Sequence, residues 1–529
     1  MAGWATPPLD RRQIVLFSPT LDDSIAADHP VRLLEEMLDQ MDFSAWEFHY
    51  VLMVGQPPIH PRVLAGGILY GLSLGIRSSR RLEDAAANRF DFKWLLEGRV
   101  PDHSTWCTFR TQFGEALKQL FKQVGRVGIE MGLVSFNQIT LDGTSIRANN
   151  SRFRTGRRAS LEQKVAALEE QIEHAFEQLA QQDQREEDLY GADQSARKLP
   201  AELADLRRRQ AKLKETMRQL SKLEAARAQR KDRCAGSPPG PAIPLTDPDS
   251  RILPNKAGGQ APNYTAVLAV DSGSGLIVDT QVLSGNDEAS TVLPAVARVQ
   301  ENFGVKPEQV AADSGFNTGK NLAALDQQGV EALMPAKQTF AENPAVRGEP
   351  TQAVAAEQRE ALPLNPQRKV LDKAAFIYDA PADNYHCPMG RTLSYVGHNA
   401  YDHHGNKGLY RIYECMSCAG CPLGTKCLPR NAVARRLCRD EYESLREQMA
   451  QRMNRAPGRD QYRRRAPTAE TPFAVLKTRM NFRQFLLRGS KKVEQEWRWV
   501  ATAYNLVKLM AHRVRLGLAP SSKAVIAMA

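Results

Sequence analysis

The chain has 529 residues, 42% of them hydrophobic, with 71 Lys and Arg against 60 Asp and Glu. This length predicts two to four structural units. The absence of an 18-residue apolar run excludes a helical membrane span, and the first residues lack the pattern of a signal peptide, so we expect a cytoplasmic protein. The net charge of +11 favours a polyanionic partner, and arginines concentrated between Lys426 and Arg465 favour a nucleic-acid backbone over mere basicity.

Residues 20–130 have the hydrophobic spacing of short helices. The stretch "DDSIAADHPVRLLEEMLDQM" places Val31, Leu34 and Met41 on one helical face. Further helices are predicted in "HPRVLAGGILYGLSLGI", in "RSSRRLEDAAANR" and in "PDHSTWCTFRTQFGEALKQLFKQVG", the last capped near Ser104. Such helices with exposed arginines predict a helix-turn-helix-like DNA-binding unit, and a plain helical bundle fits equally well.

The hydrophobic period changes near residue 136. The stretch "FNQITLDGTSIRA" predicts a strand through Ile139 and Leu141 that ends at Asp142. Leucines at near-heptad spacing then predict an antiparallel coiled-coil hairpin over residues 158–232, interrupted at "DLYGADQ". A partner-binding or DNA-binding arm, a spacer and a dimer contact remain open as roles for this hairpin.

A mixed α/β pattern follows the coiled coil. A segment rich in proline and glycine, "RCAGSPPGPAIPLTDPDSRILPNKAGGQAPN", is predicted as a linker. The stretch "YTAVLAVDSGSGLIVDTQVLSG" predicts a β-hairpin with Asp271 in its turn. A helix is expected at about 287–302, then a strand that ends at Asp313, a helix and the short strand "VEALMP". Asp142 and Asp313 would therefore both lie at strand ends, where functional side chains often occur.

Three acidic residues have two interpretations each. Asp142 and Asp313 precede glycine or serine-glycine, as turn or capping aspartates do. Glu470 lies among cations with which it would be expected to pair, and Thr471 with Pro472 predicts that it sits near a helix start. If their strands are neighbours, the same carboxylates could hold Mg²⁺ or Mn²⁺, and a two-metal site can cut and rejoin phosphodiesters.

Six of the eight cysteines crowd residues 387–438. In a cytosolic chain such crowding favours a metal over disulfides. The spacing predicts a tetrahedral Zn²⁺ site of Cys387, Cys418, Cys421 and Cys427, with Cys415 as the substitute ligand. The alternative is a set of free thiols in a small core, and the zinc would in any case be structural.

Several motifs together resemble one family. "LDGTSIRANNS", "VAADSGF" and "YRRRAPTAETPFAVLK", followed by "FLLRGSKKVEQEW" and "AYNL", resemble in this order the bacterial insertion-sequence transposases of the DDE class. The stretches "LAGGILYGLSLGIRSSRRLEDAAANRFDFKWL" and "DHSTWCTFR" resemble the N-terminal domain of the same group, and the cysteine-bearing segment before the last acid is also similar. The resemblance covers almost the whole chain and implies an RNase H-like catalytic core.

By this resemblance Asp142, Asp313 and Glu470 would be the catalytic, metal-binding triad. Tyr462, an arginine near it and Lys477 would match a tyrosine–arginine–glutamate–lysine signature that contacts the transposon end. Eight residues separate Tyr462 from Glu470, one more than in the commonest form of the signature. The residues expected to bind DNA are therefore Tyr462, Arg463, Arg464, Arg465, Lys477 and Arg488. Glu494 and Glu496 compete for the third acid but follow the signature.

The resemblance implies a transposase that cleaves element ends and joins them to double-stranded target DNA, as a dimer or larger homo-oligomer. A transposase-derived DNA-binding protein without catalysis and a metal-dependent nuclease without joining activity are the alternatives. The predicted division of the chain is a helical N-terminal domain (1–130), a core (131–157 and 245–336), the coiled coil (158–232), a cysteine-rich insertion (337–445), C-terminal core helices (446–515) and a tail (516–529).

Overall fold

A computed structural model describes residues 20–50, 57–151, 153–190, 201–229, 240–255, 258–336, 349–365, 367–403 and 406–517. The helices in these residues are α1 (Pro30–Asp39), α2 (Ser44–Glu47), α3 (Pro61–Ser73), α4 (Ser79–Asn88), α5 (Phe90–Leu95), α6 (His103–Gln112), α7 (Gly114–Glu130), α8 (Arg158–Tyr190), α9 (Ala201–Gln229), α10 (Val292–Phe303), α11 (Gly319–Gln327), α12 (Gly424–Cys427), α13 (Glu443–Asn454), α14 (Ala456–Arg463), α15 (Arg465–Thr478) and α16 (Ser490–Arg515).

The strands are β1 (Gln138–Arg147), β2 (Thr155–Gly156), β3 (Ile243–Pro244), β4 (Arg251–Pro254), β5 (Gln260–Asp271), β6 (Ile277–Leu283), β7 (Gln309–Ala311), β8 (Glu331–Leu333), β9 (Ile377–Asp379), β10 (Asn384–His386), β11 (Thr392–His403), β12 (Asn406–Glu414) and β13 (Arg436–Arg439). None of the helices in the described residues is long and apolar enough to span a membrane.

The larger sheet has the order β4-β5-β1-β7-β8, and β6 also pairs with β5. Strand β1 is antiparallel to β5 and parallel to β7, which in turn is parallel to β8. A mixed α/β class is thereby confirmed. The sequence predicts a strand, a hairpin, a helix, a strand, a helix and a strand in this order. In the structure they are β1, the β5–β6 hairpin, α10, β7, α11 and β8.

Strand β1 is longer than its sequence predicts. It does not end at Asp142 but continues to Arg147, because every residue from Ile139 to Arg147 has a partner on β5. Gly143 is therefore a residue within the strand, and the prediction of a turn at this position was wrong. The parallel pairing with β7 stops earlier, at Thr140 opposite Ala311.

One hydrophobic core joins the N-terminal helices to the sheet. Residues of α1, α3, α6 and α7 belong to the same buried cluster as those of β1, β5 and α10. Helix α16 contacts α3, α6, α7 and β6, and its buried residues include Trp497, Trp499 and Tyr504. A helix buried on most of its surface occupies the interior of a domain. In this structure the N-terminal helices are thus packed onto the sheet through α16.

Two local predictions from the sequence need correction. Helix α6 is capped by Asp102, whose carboxylate accepts from Thr105 N at 2.6 Å, so Ser104 lies inside the helix. Part of the predicted linker is buried structure, because Asp247 is 1% exposed and accepts hydrogen bonds from the Tyr264 hydroxyl and Gly489 N. Pro244, Pro254 and Pro262 of this segment lie within β3, β4 and β5.

Helices α8 and α9 pack against each other where the sequence predicts a coiled-coil hairpin. Leu161 and Leu220 are buried between them, and the pair is flanked by a salt bridge from Lys214 to Glu169 at 2.9 Å. Of the predicted break "DLYGADQ" (188–194), residues 188–190 belong to the end of α8, and residues 191–194 lie outside the described residues.

The segment between the core strands and α13 forms a second sheet. Its antiparallel order is β13-β12-β11-β10-β9. A separate buried cluster fills it and includes Tyr385, Tyr413 and Leu437. This sheet has its own small core, and its strand content was not predicted from the sequence.

Candidate active site

Asp142 lies in the middle of β1 and is paired with an arginine. Its Oδ1 atom is 3.0 Å from Arg465 Nη2, and both side chains are largely buried, 18% and 12% exposed. Thr144 is two residues further along the strand and therefore faces the same side of the sheet. Its hydroxyl accepts a hydrogen bond from Lys477 Nζ at 2.5 Å. Two cations of α15 thus contact one face of β1 at Asp142 and Thr144.

Asp313 follows the end of β7, the strand that pairs with β1, and lies at the level of Asp142. Because Thr140 pairs in parallel with Ala311, the residues two positions further along each chain are Asp142 and Asp313. The Asp313 carboxylate accepts from Gly315 N at 2.7 Å, which is the turn contact that its sequence also predicts. It does not cap the following helix, whose cap is Thr318. The parallel pairing brings the first two acids to the same edge of the sheet.

The pKa of the Tyr462 hydroxyl is affected by the charges of Arg465, Asp313 and Asp142. Burial raises this pKa, the Arg465 charge opposes the rise, and the Asp313 and Asp142 charges add to it. A tyrosine influenced by all three groups lies close to them. Tyr462 comes from α14 and Arg465 from the first residue of α15, so the junction of the two helices faces the two aspartates.

Glu470 is exposed on α15 rather than at a helix start. The helix begins at Arg465 and contains Pro472, so the cap predicted from Thr471 and Pro472 was wrong. The Thr471 hydroxyl instead donates to Pro467 O inside the helix. Lys477 follows Glu470 by seven residues, and two helical turns place the two side chains on one face.

The remaining predicted DNA-binding arginines have different surroundings. Arg463 is exposed and lies 3.5 Å from Asp460, and Arg464 is exposed at the start of α15. Arg488 is exposed near the other end of β1, where Nε donates to Asn149 O at 3.0 Å. Of the three consecutive arginines, Arg465 is the one that contacts an acid of the predicted triad.

The donor chemistry of Asp142 and Asp313 fits a hard divalent cation, because Mg²⁺ and Mn²⁺ prefer carboxylate oxygens. Among the described residues, however, no three His, Cys, Asp or Glu side chains are arranged so that they could hold a metal ion. Arg465 contacts the Asp142 carboxylate, and Glu470 is exposed. In this conformation the three acids are not arranged as a metal site within the described residues.

Glu288 is an acid close to β1 that the sequence analysis did not single out. A Cβ atom on Gly143 would lie 2.6 Å from its Cδ and 2.8 Å from both carboxylate oxygens, so its carboxyl group lies against β1 at Gly143. Because successive residues of a strand face opposite sides of the sheet, Glu288 lies on the face opposite to Asp142 and Thr144. A side chain at Gly143 would require the flexible end of Glu288 to move.

The other acids considered from the sequence have structural surroundings. Asp271 accepts hydrogen bonds from the backbone N–H groups of Phe136 and Ser274, as the hairpin interpretation predicts. Glu496 is 4% exposed and bound to Arg77 at 2.8 Å. Glu494 pairs with Arg498 on the surface of α16. The partners of Asp271, Glu494 and Glu496 therefore lie elsewhere than at Asp142.

The cysteines pack within the small core of the second sheet. Cys415 and Cys427 are 2% and 8% exposed, and Cys387, Cys418 and Cys421 pack against the same cluster. Burial raises the pKa of the Cys427 thiol to about 12 and also raises those of Cys387 and Cys418. These thiols are not arranged as a metal site within the part of the chain that the structure describes. The predicted zinc is therefore unsupported, and the thiols contribute apolar packing.

Two family models match the chain. A model described as "Transposase DDE domain" matches residues 386–510, and one described as "Transposase domain (DUF772)" matches residues 19–112. Together the two matches support an insertion-sequence transposase of the DDE class. The first match includes Tyr462, Glu470 and Lys477, and the second includes helices α1 to α6. No protein with a curated description matches the transposase.

Both matches leave residues 113–385 uncovered. Asp142 and Asp313 lie in this uncovered part, so their assignment depends on sequence pattern and on the parallel pairing of β1 with β7. The matched segments nevertheless meet in space, because α16 packs against α3 and α6.

Proposed function

We propose that the transposase binds the terminal inverted repeats of an insertion sequence, cleaves the element ends and transfers the strands to target DNA. The observation that carries this proposal is the meeting of distant signature residues at one place. Arg465 contacts Asp142, Lys477 contacts Thr144, and Tyr462 lies near both aspartates. More than 300 residues separate the two partners of the Arg465 and Lys477 contacts, so these contacts are set by the tertiary fold and not by local sequence, as an RNase H-like core would require.

Asp142, Asp313 and Glu470 would hold the divalent metal, Mg²⁺ or Mn²⁺. When bound, such ions activate a water or hydroxyl and stabilise the leaving oxygen in phosphodiester displacement. Hydrolysis at an element end frees a 3′ hydroxyl, and transfer joins that hydroxyl to a target phosphate. Both reactions are displacements at phosphorus, so one set of carboxylates serves both.

The cations beside Asp142 have a defined part in this proposal. Arg465 and Lys477 present guanidinium and ammonium groups on the face of β1 where a scissile phosphate would lie. Arginine binds phosphate in a two-pronged manner. A phosphate that takes over the Arg465 guanidinium would leave the Asp142 carboxylate available, and DNA binding would thereby prepare the site.

Exposed arginines extend the surface available to DNA beyond this centre. Arg463, Arg464 and Arg488 are exposed, and charges of this kind bind the duplex backbone in a salt-dependent manner. Two element ends must be held together for transfer, so we propose a dimer or larger homo-oligomer. Helices α8 and α9 pack against each other and have no assigned function. We propose them as one candidate contact between copies of the chain.

The deciding experiment incubates the protein with a linear duplex carrying the terminal repeat, a supercoiled target plasmid and Mg²⁺ or Mn²⁺. We expect cleavage at the repeat and joined products, and loss of both with Asp313→Asn or Glu470→Gln. Asp326→Asn removes an exposed acid of α11 and should leave both reactions unchanged. Full activity in folded Asp313→Asn and Glu470→Gln proteins would refute the proposal.

The same assay separates the alternatives. Specific binding without cleavage identifies a transposase-derived DNA-binding protein. Cleavage without joined products identifies a nuclease. Each outcome is a different readout of one reaction mixture, because binding, nicking and joining give products of different length.

A further inference from the structure

A shallow groove of about 420 Å³ separates α6 from the first turn of α16. One wall is a polar face of α6, on which Cys107 and Thr108 are exposed and Thr111 is half-buried with its hydroxyl donating to Cys107 O. The other wall carries Arg488 and Lys492, both exposed. No acidic residue is among those that line the groove. The groove therefore combines short polar side chains on a helix with two cations opposite them.

The floor of the groove is held rigidly from below. Glu496 accepts hydrogen bonds from the backbone N–H groups of Leu486 and Leu487, at 2.9 Å each. Arg77 binds the same carboxylate, and Arg110 of α6 donates to Arg77 O at 2.7 Å. One buried network thus fixes α6 and the turn before α16 relative to each other. A groove whose walls are fixed in advance loses little conformational freedom when it binds a ligand.

The chemistry of both walls fits duplex DNA. The major groove is about 12 Å wide and admits one helix, whose short side chains can approach the base edges. Threonine can hydrogen bond to a base edge, and its methyl group can contact the C5 methyl of thymine. Lysine and arginine beside such a helix would bind the phosphates of the two strands.

The groove is also connected to the candidate active site. Asn149 Nδ2 donates to Leu486 O at 2.5 Å, and Arg488 donates to Asn149 O, so the groove is attached to the end of β1. Asn149 follows Asp142 by seven residues, and Ala148 N continues the pairing with β5 by donating to Pro262 O. Strand β1 ends at Arg147 and the chain bends at Asn149, so these seven residues span at most about 23 Å at ~3.3 Å each.

We propose that this groove reads the element end, with α6 in the major groove about seven base pairs from the cleaved bond. The inference rests on the proposed function, and it assigns sequence recognition to Thr108 and Thr111 and phosphate contact to Arg488 and Lys492. The spacing follows from a duplex lying along β1, because 23 Å corresponds to roughly seven steps of ~3.4 Å in B-DNA. Thymine methyl groups are the base feature that the α6 face fits.

The recognition is tested by selection from duplexes with 25 randomised base pairs. Wild-type protein should enrich a motif, and Thr108→Ala or Thr111→Ala should relax it at one or two adjacent A·T pairs while retaining the rest. Discrimination at these pairs should fall by about 5- to 100-fold, the range for one base contact. Thr392→Ala, which changes an exposed threonine of the second sheet, should leave the motif unchanged. No motif with wild type, or an unchanged motif with both variants, overturns the proposal.

The phosphate contacts are tested on the selected duplex. Lys492→Ala should weaken binding to all sequences alike and lower the slope of log K against log salt by about one. Lys491→Ala removes the same charge from the neighbouring position of α16, which does not line the groove. Equal effects of the two variants would contradict the placement of Lys492.

The spacing is measured without reliance on cleavage. A photoreactive group on Cys107, in a Cys438→Ser background, should cross-link to the selected duplex in the recognised A·T region. The same group on an Asp142→Cys variant, with Cys107→Ser, should cross-link about seven base pairs away. Cross-links that coincide or lie more than about twelve base pairs apart overturn the inferred register. If the register holds but wild type never cleaves, the proposed function fails while the reading groove stands.

Discussion

Two arginine–carboxylate pairs in the transposase have similar geometry and different surroundings. Arg77 Nη2 lies 2.8 Å from Glu496 Oε1, and Arg465 Nη2 lies 3.0 Å from Asp142 Oδ1. The first pair is 8% and 4% exposed, whereas the second is 12% and 18% exposed. Both contacts are as short as an ordinary charged hydrogen bond. Distance alone therefore does not separate a structural ion pair from a functional one.

The partners of each pair make the distinction. Arg77 also donates to Asn481 O and Gln484 O, and Glu496 also accepts from Leu486 N and Leu487 N. Both Arg77 and Arg465 keep a buried Nε without a partner among the described residues, so an unused donor does not separate the two pairs. A pair whose two members are also tied to the backbone holds the fold, and we expect Arg465, which contacts a side chain on β1, to be the arginine that exchanges its partner for a phosphate.

The largest effect should follow from Asp142→Asn. The variant keeps the size of the side chain and an oxygen that can accept from Arg465, so the fold should persist. Loss of the carboxylate should slow end cleavage by about 100-fold or more, because metal-assisted charge stabilisation contributes several kcal/mol and each ~1.4 kcal/mol is tenfold. Single-turnover cleavage with Mg²⁺ measures the rate, and circular dichroism checks the fold. A rate within threefold of wild type would remove Asp142 from the catalytic set.

Glu496→Gln should have the next largest effect, which is a loss of folding stability. It leaves the buried Arg77 guanidinium without its counter-charge, which costs about 3–5 kcal/mol in comparable buried pairs. Urea denaturation should show this loss as a lower midpoint with an unchanged slope. If Glu496→Gln is as stable as wild type and instead abolishes cleavage, the Arg77–Glu496 pair is the functional one, and its assignment as a structural pair is wrong.

Arg465→Ala should change DNA binding more than stability. We expect the salt dependence of binding to a repeat-bearing duplex to fall by about one phosphate contact. Fluorescence anisotropy at several salt concentrations measures this slope. Arg513→Ala, which removes a cation paired with Glu36 near the far end of α16, is the matched control. An unchanged slope with Arg465→Ala would mean that this arginine serves Asp142 alone.

Glu494→Gln should have the smallest effect. Glu494 pairs with Arg498 one turn away on the surface of α16, and such exposed pairs contribute about 0.3–0.5 kcal/mol. Its unfolding midpoint and its cleavage rate should both match wild type closely. A large loss of cleavage here would restore Glu494 as a competitor of Glu470.

Much of the fold could be predicted from local pattern. Helical spacing in residues 20–130 and alternation around Asp271 depend on neighbours in sequence, and the structure has α1 to α7 and the β5–β6 hairpin there. The Asp–Gly pair at 142–143 could not be interpreted correctly in this way. Its local pattern is that of a turn, and only the pairing with β5 makes it part of a strand.

The sequence by itself determined the class of the transposase, because its motifs depend on residue type and order, which the family matches at 19–112 and 386–510 confirm. It also nominated Asp142, Asp313 and Glu470, whose roles stay proposals. Only the tertiary structure decided which arginine meets Asp142, that Gly143 lies within a strand, and that Glu496 is structural. These depend on contacts between residues hundreds of positions apart, and such contacts are set by how strands and helices pack.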